Sequence, residues 1–280
     1  MINKLLYLGP AGSYSEVAKD IFSKYLAEDC EFITKDSIYR ITECLISGNS
    51  DTVGAVIPIE NSIEGVVTES QDNLYLLAQN GYQIFAESSL VINHALISYG
   101  QKHQIDTITS HPQALAQCNN YINKNWEDNV NIYPVLSTSV AIKSLTPDNS
   151  NIAAIGSEYC ANLYNVPIID TCINDDINNK TRFILLSRDN PEKCLQNKIS
   201  IYFATKNESG ALNKILCVLE KYRLNMSHIN SRPSKKQLGE YVFYIDFEGH
   251  ISNPSVKKAL KEIQTLTNVF EIISNGAIII

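Results

Sequence analysis

Ser13, Asn61, Ser110 and Thr138 each stand where a short apolar run ends and a helical pattern begins. A hydroxyl or amide in that place can cap the following helix. It can also offer a neutral donor to a ligand, because helix N-termini carry free N–H groups and positive partial charge. Open α/β sheets bind their ligands there, beyond the carboxyl ends of the strands. A single junction of this kind is an ordinary cap. Repeated junctions of one character, with Gly156-Ser157-Glu158 as the last of them, point to a cleft for a small anion. A further polar approach, Asn178-Asn179-Lys180-Thr181-Arg182, enters the apolar run 183–186. Side chains alternate in an extended chain, so Thr181 and Arg182 face opposite ways and share no pocket without a bulge. Arginine is scarce (40, 182, 188, 223 and 232), and Arg182 has two readings: an anchor for the anion, or an ion pair away from it.

Other chemistries lack their signatures. The chain has no G-x-G-x-x-G, no phosphate-binding P-loop, no H-E-x-x-H and no G-x-S-x-G. His94, His103, His111, His228 and His250 have no metal-ligand spacing. Seven cysteines (30, 44, 118, 160, 172, 194 and 217) form no C-x-x-C and no even set, which reads as reduced thiols rather than a disulfide framework. The 280 residues are 44% apolar and 19% charged, enough for two domains and allowing three. No apolar run approaches the roughly 20 residues of a membrane span. The start, MINKLLYLGP, is too short for a secretory signal, so a cytoplasmic chain is expected. Residues 1–194 hold 12 Lys/Arg and 23 Asp/Glu, whereas 195–280 hold 11 and 7, with the Lys235-Lys236 and Lys257-Lys258 pairs reading as a solvated face. An acidic larger part argues against nucleic acid or an anionic membrane as partner. Local donors, not bulk charge, must recruit an anion.

The elements that carry these residues alternate. Leu5–Leu8, 53–59, 105–109, 131–136 and 152–155 read as strands, each followed by a helical pattern, which predicts an α/β fold with largely parallel, buried sheets. Residues 189–197 break the pattern and read as a linker. Beyond it Ile199, Ile201 and Phe203 alternate as in a strand. Leu212, Ile215, Leu216, Leu219 and Tyr222 line one face of a helix opened by Gly210. Strand-like 225–231 and 240–247 follow, joined by a turn ending at Gly239. A second helix carries Val256, Leu260 and Ile263, and strand-like 269–273 and 277–280 close the chain. The order β-α-β-β-α-β is that of a ferredoxin-like sandwich, whose second face or edge is left for a partner.

Taken together, Leu8-Gly9-Pro10-Ala11-Gly12-Ser13-Tyr14-Ser15, Pro58-Ile59-Glu60-Asn61-Ser62, Ser110-His111-Pro112-Gln113-Ala114 with Gln117-Cys118, Ser137-Thr138-Ser139 and Thr181-Arg182-Phe183 resemble the prephenate dehydratase family. The C-terminal part resembles its regulatory ACT domain, through Gly210-Ala211-Leu212, Ser231-Arg232-Pro233 and Glu248-Gly249-His250. The resemblance implies a catalytic domain over 3–188, built as two lobes in the manner of a type II periplasmic binding protein (about 1–77 plus 157–188, and 78–156). It also implies an ACT domain over 198–280. The implied reaction turns prephenate into phenylpyruvate with loss of carbon dioxide and water and needs no cofactor. Thr181 is the implied catalytic residue, with Asn61, Ser110, Gln117, Ser13, Thr138 and Arg182 as substrate-binding candidates. An aliphatic hydroxyl is a poor acid, so its role is a hydrogen bond to the leaving hydroxyl that strengthens in the transition state.

L-phenylalanine is the implied effector, at Gly210, Ala211, Leu212, Asn225, Ser231 and Arg232, with self-association through ACT domains into a dimer or tetramer. Asn230 stands where the ACT motif usually has Glu, which removes a charge from that segment. Nothing in the chain resembles a fused chorismate mutase, so a monofunctional enzyme is expected. Arogenate as substrate, or a ligand sensor without turnover, are the alternatives; a retained Thr181 weighs against the sensor.

Overall fold

A computed structural model describes residues 1–48, 52–127, 129–188, 197–234, 240–275 and 278–279. Of the expected linker only Asn197 is among them; Cys194, Lys235-Lys236 and Gly239 lie outside the described residues, as do residues 277 and 280 of the last expected strand. The chain begins with β1 (Ile2–Leu8), α1 (Tyr14–Ile21), β2 (Leu26–Lys35), α2 (Ile38–Ser47), β3 (Val53–Asn61), β4 (Gly65–Val66), α3 (Thr68–Gln79) and β5 (Gln83–Val91). It then crosses to β6 (Ala95–Ile97), β7 (Thr107–Ser110), α4 (Pro112–Ala116), α5 (Asn119–Trp126), β8 (Asn131–Pro134), α6 (Thr138–Lys143), β9 (Ile152–Gly156), α7 (Glu158–Tyr164) and β10 (Ile168–Asp170). It returns in β11 (Lys180–Ser187). The C-terminal part holds β12 (Lys198–Ala204), α8 (Ala211–Lys221), β13 (Met226–Pro233), β14 (Tyr241–Glu248), α9 (Pro254–Leu266), β15 (Val269–Ser274) and β16 (Ile278–Ile279).

Three sheets result. The first has the order β16-β5-β11-β3-β1-β2, with β4 on β3; the second β10-β6-β9-β7-β8; the third β13-β14-β12-β15. Expected as largely parallel, the first two are mixed. β1 pairs in parallel with β2 and β3, but β11 runs antiparallel between β3 and β5. The chain leaves the first sheet through β5 and returns through β11, so these two strands point in opposite directions. The lobe boundaries change accordingly. β5 pairs with β11 along its length and belongs to the first lobe, and β10 pairs with β6 and belongs to the second. The lobes are therefore 2–91 with 180–187, and 95–170, rather than breaks at 78 and 157.

The first sheet is buried on both faces, which explains the near-continuous apolar run of β3. One face lies under α1, where Leu5, Tyr7, Phe183 and Leu185 meet Ala18 and Phe22. On the other face Leu6, Ile57, Ile59, Ile184 and Leu186 pack with Leu74 and Leu77 of α3, and the same core continues into Tyr202, Val242, Tyr244 and Ile273 of the third sheet. The third sheet has the expected β-α-β-β-α-β order, and Ile215, Val218, Val256, Leu260 and Ile263 of α8 and α9 cover its far face. Its near face is not left open for a partner: it is docked on the first lobe, where Tyr75 stacks on Tyr202 with ring centres 5.0 Å apart. Its edge strands are β13 and β15; β15 lies against α3 and β5, which leaves β13 as the outer edge. Among the described residues no helix is long and apolar enough to cross a membrane.

Candidate active site between the lobes

Two segments join the lobes, and they are tied to each other. Ile92 N donates to Asn179 O (2.8 Å), Ile173 N to His94 O (3.0 Å), His94 N to Asn174 Oδ1 (2.5 Å) and Asn174 Nδ2 to Ile92 O (3.0 Å). Against them lies a cavity of about 240 Å³, to which the first lobe contributes Ser13, Tyr14, Asn61 and Thr181. The joining segment adds Ile92 and His94, and the second lobe His111, Gln113, Gln117, Ser137 and Thr138. None of the lining residues is a lysine or arginine.

Ser13 caps α1: its Oγ accepts from Glu16 N (3.4 Å) and donates to Leu8 O (3.2 Å). α6 is capped by Ser137, whose Oγ accepts from Val140 N (3.1 Å). Thr138 is thus the first helical residue, not the cap, and its hydroxyl has no protein partner among the described residues. Asn61 ends β3. Its Oδ1 accepts from Ile63 N (2.9 Å) and Glu64 N (3.0 Å), and its Nδ2 lies 2.8 Å from Asn179 Oδ1, 3.2 Å from Lys180 O and 2.9 Å from Thr181 Oγ1. Thr181 Oγ1 is therefore an acceptor within the protein. Gln117 ends α4, and its Oε1 takes Asn179 Nδ2 (3.0 Å) and His94 Nε2 (3.2 Å).

Two candidates lie elsewhere. Ser110 is fully buried, and its hydroxyl donates to Ile155 O (2.5 Å), tying β7 to β9. His111 takes the capping role there, its Nδ1 accepting from Gln113 N (3.3 Å). Arg182 is on the opposite face of β11 from Thr181, as alternation requires; the irregular register between Arg182 and Phe183 does not bring it round. Its guanidinium is 3.4 Å from Glu60, 3.1 Å from Glu87 and 3.2 Å from Asp246, and donates to Tyr244 Oη (3.2 Å). Lys198 joins Glu87 (2.9 Å) to Asp246 (3.2 Å). Of its two sequence readings, the ion pair is the one this geometry holds, and it bridges the first lobe to the third sheet.

Several cavity residues escape a sequence reading. His111 and Gln113 sit within the Ser110–Ala114 motif, but nothing around His94 marks it; Asn179, buried behind the lining, lies in the polar approach to β11. His94 is buried, and burial lowers its pKa despite the opposing bond to Gln117, which keeps the ring neutral at pH 7. Its Nδ1 is buried without a hydrogen-bond partner among the described residues.

Gly12 explains the glycine of the first motif. Its φ of +84° favours glycine, and a Cβ there would lie 2.5 Å from Cys160 Sγ and 3.3 Å from Ser139 Oγ, both on the second lobe. Gly12→Ala is expected to lose about 1 kcal/mol to backbone strain alone, and to wedge the lobes apart as Cys160 shifts. A lower melting temperature with a larger radius of gyration in small-angle scattering checks this; an unchanged pair of values contradicts it.

In the C-terminal part Gly210 (φ +80°) precedes Ala211 and Leu212, the first residues of α8. Asn225 Nδ2 donates to Glu248 Oε1 (2.9 Å), and Ser231 is exposed on β13. Arg232 is turned to the first lobe, its Nε 2.9 Å from Asp72 Oδ1, which engages its guanidinium across the domain junction.

Comparison with known proteins agrees along the whole chain. The family model described as prephenate dehydratase matches residues 5–191, and that of the ACT domain residues 199–264. The prephenate dehydratase of Methanocaldococcus jannaschii is 40% identical over 274 residues, 96% of this chain and 97% of that protein. The crystal structure of prephenate dehydratase from Staphylococcus aureus superposes with a TM-score of 0.80 at 28% identity, over 96% of this chain and 98% of that one. That from Arthrobacter aurescens, solved in complex with L-Phe, superposes with a TM-score of 0.83 at 28% identity, over 97% of this chain and 88% of that one.

Proposed function

The chain belongs to the prephenate dehydratase family, and from that membership we propose that it converts prephenate to phenylpyruvate in the cleft between its lobes, in the cytoplasm. The observation that carries the assignment of roles is the bond from Asn61 Nδ2 to Thr181 Oγ1 (2.9 Å), which leaves the threonine proton directed to a cavity lined by neutral donors. Prephenate is a dianion whose ring carboxylate and ring hydroxyl depart together. The bond to the carboxylate breaks, its electron pair enters the ring, and the hydroxyl leaves as the ring becomes aromatic. Thr181 donates a hydrogen bond to that departing oxygen, a bond that strengthens as negative charge grows on it. Asn61 polarises the threonine by donating to it. Gln117, Thr138 and the free N–H groups at the start of α1 hold the carboxylates, so orientation comes from donors already fixed in place.

L-phenylalanine acts as the effector in this reading. Gly210, Ala211 and Leu212 of one copy meet Asn225 and Ser231 of another, with the outer strand β13 as the pairing edge in a dimer or tetramer. The complex of the Arthrobacter aurescens relative with L-Phe supports this. Incubation with prephenate, following phenylpyruvate with and without phenylalanine, tests both parts. Phenylpyruvate formation that phenylalanine depresses is the expected result. No phenylpyruvate overturns the reaction; formation indifferent to phenylalanine, with no heat of binding by calorimetry, overturns the effector alone.

A further inference from the structure

We propose that Asn179 is a positioning residue that relays the orientation of the Asn61 amide, which faces Thr181, to Gln117 of the other lobe, so that Gln117 donates into the cleft; this rests on the dehydratase reading above. The sense of the hydrogen bonds is set by two backbone N–H groups, which can only donate. Ile63 N and Glu64 N lie 2.9 and 3.0 Å from one atom of the Asn61 amide, which must be its oxygen. The other end, an NH2, is 3.2 Å from the Lys180 carbonyl, which can only accept, so two independent contacts agree. This NH2 faces Asn179 at 2.8 Å and Thr181 at 2.9 Å. Asn179 must then turn its oxygen to Asn61 and its NH2 to Gln117, 3.0 Å away. Gln117 meets that NH2 with its oxygen, which leaves its own NH2 for the cavity. His94 Nε2, 3.2 Å from the same oxygen, carries the ring hydrogen.

The direction given by the turn after β3 thus passes through Asn179 across the joining segment to the second lobe. Asn179 has no exposed surface, so solvent does not substitute for either of its bonds. The stakes are set by the lining, which offers no cation. If Gln117 were reversed, it would present a carbonyl oxygen to an anion, turning an attraction into a repulsion.

Asn179→Asp is the first test: it keeps the shape, replaces the donor by an acceptor and adds a negative charge that protonation removes, and the alanine cycle with Gln117, which adds no charge, separates lost orientation from charge alone. The carboxylate still accepts from Asn61 but opposes the Gln117 oxygen, so Gln117 reverses. Protonation returns a donor at the same place, and burial moves that protonation above the ordinary value of about 4. We expect kcat/KM for prephenate to fall about 10²-fold at pH 8, the scale of losing an oriented donor, and to recover by at least tenfold toward about pH 5.5. The parent enzyme, measured alongside, should show no such acid rise. A purely structural role gives a loss that does not recover on acidification while circular dichroism shows a folded chain. A second measurement covers a variant that fails to fold: in a cycle of Asn179→Ala, Gln117→Ala and both, the losses in kcat/KM are expected not to add. Additive losses, or Asn179→Asp matching the parent at every pH, overturn the proposal while leaving the dehydratase reading intact. A parent enzyme that does not consume prephenate removes both.

Discussion

Thr181→Ala is expected to fold, to bind prephenate within a few-fold of the parent and to turn it over at least about 10²-fold more slowly, the loss of one donor that matters chiefly in the transition state. The expectation follows from where Thr181 sits. It begins the pairing of β11 with β3, opposite Asn61, and receives a hydrogen bond from that side chain. The hydroxyl oxygen therefore accepts within the protein, and no described residue takes its proton. Removing it deletes no buried core volume, since Thr181 is only partly buried. Asn61 Nδ2 keeps Asn179 and Lys180 as acceptors, so the amide network stays in place. Steady-state kinetics separate the cases: a fall in kcat with KM nearly constant fits a bond made in the transition state. Thr181→Ser, which restores the hydroxyl, should recover a large part of the turnover. An alanine variant with near-normal kcat takes Thr181 out of the mechanism.

The second large effect concerns Arg182. Arg182→Met is expected to lower stability by about 3 kcal/mol, the range for removing one partner of a buried charged pair, with KM for prephenate nearly unchanged. Without the guanidinium, Glu60, Glu87 and Asp246 face one another, with Lys198 beside Glu87 and Asp246 and His228 Nδ1 3.7 Å from Glu60. Asp246 is 1% exposed, so water screens it little. Burial by itself would raise the Asp246 pKa, but Lys198 and Arg182 outweigh burial and hold it below the ordinary value. The sign of the pH dependence follows. A carboxyl with a lowered folded pKa contributes stability that is fully present above its unfolded value of about 4 and is lost as pH falls through the folded value. The difference between parent and Arg182→Met should therefore be largest near neutrality and shrink below about pH 4. Denaturant midpoints at several pH values measure it. A steep rise in KM with no loss of stability would return Arg182 to the role of an anion anchor.

The two residues are neighbours in sequence, and alternation sends them to opposite sides of one strand. That much is legible in the residues themselves, as are the strands β1, β3, β7 and β9, because central strands buried on both faces are written as short apolar runs. β2 is not legible: it lies at the edge of its sheet and carries Glu28, Asp29 and Glu31, so it has no apolar run to show. β5 escapes for a different reason. Glu87 is buried in the middle of it, and its partners Lys198 and Arg182 come from other parts of the chain. The same cause hides His94. Ser110 fails in the other direction: its motif is like that of Ser13, but its hydroxyl turns to the neighbouring strand of its own sheet instead of toward the cleft.

By itself the sequence determined the central strands and the helices that follow them, that neutral donors gather at strand ends, and that Thr181 and Arg182 part company, since periodicity and alternation are properties of adjacent residues. The tertiary structure alone decided which donors share a cavity, where the two lobes divide, and in which sense the amides around Thr181 point. Those outcomes rest on contacts such as Asn61 with Asn179 and Thr181, 118 and 120 positions apart. Directional bonds between groups so distant leave no trace in local pattern; folding must first bring them within hydrogen-bonding reach.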